Sequence, residues 1–239
     1  MTTANTSTLP TRVSNNLQVD QHGDNYGNLF LTPYTPMQNA AVEGTYYQGV
    51  NALPATAITS SIATAYSTTA SAFFALRNTD TTGGKSLYLD FIELQTLVAP
   101  ASATEYQCVV DVDNVLTRFT SGGTAITPTN TNTNIGTTSI ALLNAGALLT
   151  VALGGGGRNY GQTKLRTVIP VVGDSYILTF GQSTPMSSAL IGGTGPYLST
   201  YQFQPVIVGP QGCMCLSLFG AGYAATAATY FFRMGWVER

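Results

Sequence analysis

Asp111-Val-Asp113 sets two carboxylates two residues apart, which on a strand places them on one face. Such a pair could begin a site for a hard cation. Calcium and magnesium demand several further oxygen ligands, and no third acid lies close by in the chain. The alternation around the pair points instead to Tyr106, Cys108, Val110 and Val112 facing a core, with Glu105, Gln107, Asp111 and Asp113 facing water. Cys213 and Cys215 share a strand face in the same way, but a CxC without another Cys or His nearby cannot complete a zinc tetrahedron, so the two read as small apolar strand residues. His22 is the only histidine and sits in the turn-rich run HGDNYGN; a Ser-His-Asp triad would depend on it alone, and no G-x-S-x-G nucleophile setting exists. The run Gly154 to Gly157 followed by Arg158 lacks the Lys and the helix that a phosphate-binding loop requires, and reads as a surface loop. No catalytic, cofactor-binding or metal residue is assigned. The chain is expected not to be an enzyme and to need no cofactor.

Composition narrows the remaining classes. Only 8% of the 239 residues are charged, against about a quarter in ordinary soluble proteins, and the formal net charge is −2. A surface so poor in charge favours association over dispersion, which points to a homo-oligomer or to a subunit covered by others. Nine Lys and Arg residues scattered along the chain form no patch, so nucleic acid is not an expected partner. Three cysteines in no framework spacing fit a protein made in a reducing host cytoplasm. The N-terminal residues lack the basic start and apolar core of a signal peptide. The most apolar stretch, IALLNAGALLTVAL, is too short to span a bilayer, and no membrane partner is expected.

The elements that must carry this surface are strands. Residues 1–21 are polar and without apolar period, and read as an extended arm; a short edge strand is expected near 28–32, and 52–71 as extended or irregular, so that 1–71 precede the main domain. From 72 to 239 the pattern is that of an all-β, antiparallel β-sandwich of jelly-roll type. AFFALRN, the turn TDTTGGK and SLYLDFIELQTLVA have the grammar of a hairpin with a longer loop. TSGGTAITPTNTNTNIGTT reads as a loop, and further strands are expected at Ser139–Ala152, Lys164–Pro170, Asp174–Gly181, FQPVIV, CMCLSLFG and TYFFRMGWVE. In the last of these, Tyr230, Phe232, Met234 and Trp236 fall on one side and should be buried. Thirteen tyrosines among Thr and Asn suit either an interface or a sugar-binding face; Tyr197 and Tyr201, with the loops Gly122–Thr138 and Ser183–Tyr197, are the candidates for the latter.

Several segments resemble a family of virion structural proteins of tailed bacteriophages. They are YGNLFLTPYTP with EGTYYQGVN, SLYLDFIELQTLVAPA, FTSGGTAITPTNTN, TVIPVVGDSYILTFG, and VIVGPQGCMCLSLFGAGYAATAATYFFRMGWVER. The resemblance spans most of the chain from Tyr26 to Arg239. It implies a jelly-roll head decoration, or cement, protein on the capsid exterior, whose oligomers sit over junctions of the major capsid protein. A trimer is the first expectation and a dimer the second. The alternatives are a receptor-binding tail or spike module that holds glycans, and a jelly-roll coat protein.

Overall fold

Runs rich in Val, Ile, Leu, Phe and Tyr, punctuated by Gly and Pro, fold here as two stacked sheets, the all-β sandwich expected from the sequence. The computed structural model describes residues 36–51, 57–60, 63–67, 70–102, 105–154, 156–181, 196–220 and 227–239. The expected arm over 1–21, the short strand near 28–32 and His22 lie outside them. In chain order the elements are α1 (Pro36–Val42), β1 (Tyr46–Val50), β2 (Ile58–Thr59), β3 (Ala70–Asn78), β4 (Leu87–Val98) and β5 (Tyr106–Asp113), then β6 (Phe119–Ile126), β7 (Thr129–Asn130), β8 (Ala141–Thr150) and β9 (Arg158–Arg166), and last β10 (Ser175–Phe180), β11 (Leu198–Phe203), β12 (Ile207–Val208), β13 (Cys213–Phe219) and β14 (Thr229–Glu238).

The first sheet runs β11-β10-β4-β14-β1-β7, with β12 on β4 and β2 on β14; the second runs β6-β8-β3-β13-β5-β9. All described pairings are antiparallel except β10 with β11, which run parallel from Ser175↔Leu198 to Phe180↔Phe203. One core lies between the sheets. The four residues expected on the inner side of the final strand, Tyr230, Phe232, Met234 and Trp236, all belong to it. Trp236 stacks on Tyr47 at 6.4 Å between ring centroids, and Tyr230 packs edge-on against Phe73 at 5.3 Å. The final strand is therefore central, flanked by β4 along its length on one side and on the other by β1 from Arg233 to Val237 and by β2 at Thr229 and Tyr230.

Four expectations change. The domain does not begin at 72: residues 36–239 form one compact unit, and β1 pairs with β14 from Tyr46↔Val237 to Val50↔Arg233. Five residues containing a glycine were too short to show a period. The hairpin between β3 and β4 is absent, because the two strands lie in opposite sheets. The connection crosses the roughly 10 Å between the layers, pinned by Asn78, whose Nδ2 donates to the carbonyls of Lys85 (2.8 Å) and Val208 (3.0 Å). A strand, β6, occupies the Thr/Gly run expected as a loop. Gly122 and Gly123, at φ 95° and 66°, supply the left-handed backbone of its bulge against β8. Finally, β5 is buried along its whole length, on both faces.

Candidate functional site

The two aspartates expected in water are among the most buried residues of the molecule. Asp111 and Asp113 are 0% and 1% exposed, because the outer face of the second sheet is roofed by the turn Leu116–Arg118, by Phe119 and by Tyr66. Arg118, itself fully buried, donates from Nη2 to both Asp111 oxygens at 3.1 and 3.2 Å and from Nε at 3.3 Å; its Nη1 donates to the carbonyl of Val151. Tyr66 adds its hydroxyl at 3.1 Å. Burial raises the Asp111 carboxyl above its ordinary range, and the neighbouring Arg118 only partly offsets it. Asp113 instead accepts the backbone N–H groups of Asn114 (2.8 Å) and Gly154 (2.7 Å), which orders the start of the glycine run. Both acids are structural.

Cys213 and Cys215 lie under the same roof with their sulfurs 3.8 Å apart, packed with Ala72, Ala75 and Leu148. Burial pushes the Cys108 thiol up to about 12, and the contact with Cys213, then burial, raises that of Cys215. Among the described residues no group of three His, Cys, Asp or Glu side chains could hold a metal ion. Arg158, expected in a loop after the glycine run, opens β9.

One surface feature is built with care. Asp174, fully buried at the VVGD turn before β10, accepts on one oxygen from Val171 N (2.9 Å), from the Tyr176 hydroxyl (3.0 Å) and from Arg166, and on the other from Tyr197 N (2.8 Å). Backbone bonds from Gly173 to Thr96 and from Thr96 to Asp174, each 2.8 Å, tie the turn to the end of β4. Arg166 lies over the Tyr197 ring at 5.8 Å. Around this clamp stand Val98, Val168, Val172 and Leu198, exposed by 42–59%. The result is a rigid apolar tip at one end of the sandwich. Sequence reasoning missed it; the available signal was an acid closing a Gly turn, followed directly by an apolar strand.

Tyr197 and Tyr201, candidates for a sugar-binding face, pack against the core, and the Tyr201 hydroxyl donates to the Leu165 carbonyl at 2.8 Å. Burial raises the Tyr201 phenol to about 12. Most of the loop Ser183–Tyr197 lies outside the described residues. No helix among the described residues is long and apolar enough to cross a membrane. No protein-family model, curated protein or solved structure matches this chain.

Proposed function

We propose that this chain is a structural subunit of a virion, a decoration or cement protein that binds over junctions of the major capsid protein and stabilises the head. The observation that carries the reading is the clamped apolar tip on a chain with only 8% charged residues. A tip held by a buried carboxylate loses little entropy on docking, and apolar side chains presented on a fixed frame suit a partner of complementary shape. Each contact is weak by itself. Copies joined about a symmetry axis engage neighbouring junctions together, and the effective concentration of the second contact makes the set strong.

Cryo-microscopy of virions carrying this chain tests the reading: the expected result is hundreds of copies on the shell exterior. Few copies confined to the tail would overturn it, as would a freely monomeric protein that turns over a small molecule. Val168→Lys with Val172→Glu is expected to abolish capsid binding while the chain stays folded.

A further inference from the structure

We propose that the outer face of the first sheet is a two-fold contact between copies of this chain, centred on Glu93 and Arg233. The inference rests on the register of the sheet and stands whether or not the assembly is a capsid.

Across five strands of that face, one row reads Thr200, Ile177, Glu93, Arg233, Val50 from β11 to β1. Glu93 and Arg233 are neighbours on β4 and β14, joined by hydrogen bonds of 3.0 and 2.5 Å, and they remain 30% and 52% exposed. An apolar residue flanks the pair on each side, Ile177 beyond Glu93 and Val50 beyond Arg233. The row is therefore close to a palindrome in chemistry with its signs reversed. A two-fold axis parallel to the strands, running between β4 and β14, turns each position onto its complement. It sets Glu93 against the partner's Arg233, and Ile177 against the partner's Val50.

The neighbouring rows accept the same operation. Gln95 and Phe231 exchange places in one; in the other Phe91 meets Gly235, over which the Tyr46 hydroxyl of the same copy already lies. Arg233 already lies over the Phe91 ring at 5.2 Å, so the cation is held flat against the sheet. At the end of the face α1 packs over Tyr46 and Val237, and the rotation brings it opposite the partner's Tyr88 and Ile207, both exposed in one copy.

Charge supports a second copy as the occupant. Asp90 accepts the Tyr46 hydroxyl at 2.7 Å, and Glu93 and Arg233 pair within each copy; the rotation sets each Glu93 against a second Arg233, so that the two pairs close a ring of four alternating charges. A rotated copy supplies both ions in the required places. Five strands about 4.8 Å apart and about 20 Å of their length make a patch on the order of 500 Å² in projection. With side-chain relief this approaches the roughly 800 Å² that each partner gives to a stable interface.

Sedimentation and native mass spectrometry of the purified chain are expected to show a dimer. Arg233→Glu alone places acids against acids and is expected to weaken association on the order of 100-fold, while Glu93→Arg with Arg233→Glu restores it. The buried Trp236 serves as the check that each variant folds. A second measurement fixes the geometry. Chains carrying Val50→Cys are mixed with chains carrying Ile177→Cys and treated with a short bismaleimide; covalent dimers are expected from the mixture and not from either chain alone. A monomer or a trimer, an oligomer indifferent to Arg233→Glu, or crosslinking in the single-variant samples would overturn the proposal.

Discussion

Replacing Arg118 by Met leaves a methionine of similar reach under the roof of the second sheet and strips the Asp111 carboxylate of its counter-ion. In the intact chain three guanidinium contacts between 3.1 and 3.3 Å neutralise that charge at a site where both side chains are fully buried. Removing one partner of such a pair costs about 3 to 5 kcal/mol. With a urea slope of about 2 kcal/mol per molar, the unfolding midpoint falls by roughly 1.5 to 2.5 M. The assay is urea unfolding followed by the fluorescence of Trp236, the only tryptophan and fully buried. Because the Asp111 carboxyl is raised in the native state, the folded chain binds its proton more tightly than the unfolded one. Its effect on stability therefore becomes less favourable as pH rises from the unfolded value of about 3.9 through the native value. Arg118→Met removes an influence that lowers the native value, so the window extends upward and the deficit must shrink as pH falls toward about 4. The double variant Asp111→Leu with Arg118→Met leaves no charge stranded and is expected within about 1 kcal/mol of the parent. A single variant as stable as the parent, a deficit independent of pH, or a double variant as unstable as the single would refute this account.

Asp174→Ala leaves several buried donors unpaired and is expected to lower stability by about 2 to 4 kcal/mol, with faster hydrogen exchange at Val171 and Tyr197 as the local readout. Gly235→Ala is expected to destabilise by about 1 to 3 kcal/mol in thermal unfolding, since the new methyl would run into the Tyr46 hydroxyl and meet the Phe91 ring at 2.8 Å. A thiol reagent should leave Cys108, Cys213 and Cys215 unmodified in the native chain at pH 8 and modify all three in urea, because all are buried. Deleting 230–239 should abolish the cooperative transition altogether, as it takes the middle out of the first sheet.

The two layers and the inner face of β14 were legible because Tyr230, Phe232, Met234 and Trp236 obey a period of two. Alternation could not reveal which strands pair, and so β3 and β4 looked like a hairpin although Asn78 and Val208 tie their connection across the layers. It also assumes that the polar side of a strand meets water. For β5 that assumption failed: Arg118 and Tyr66 come from outside the strand to cover Asp111, and nothing within EYQCVVDVDN announces a roof. Glu238 shows the same limit. A terminal acid reads as solvated, yet it is buried and accepts from Ser139 Oγ (2.5 Å), Ile140 N (3.2 Å) and Trp236 Nε1 (3.1 Å). The apolar tip escaped notice because its residues come from three separated places, around Val98, Val168–Val172 and Leu198.

The central place of β14 also dictates when the chain can finish folding. Strand β1 leaves the ribosome early but has its long partner only after residue 238 has emerged, and β4 waits with it for one neighbour. Throughout synthesis the edges of both that β14 will pair stay open, a state exposed to premature self-association and slow to resolve because so many contacts are distant in sequence. Sheet closure is thus a late, all-or-none event, and a chain cut short before Thr229 has no route to the sandwich.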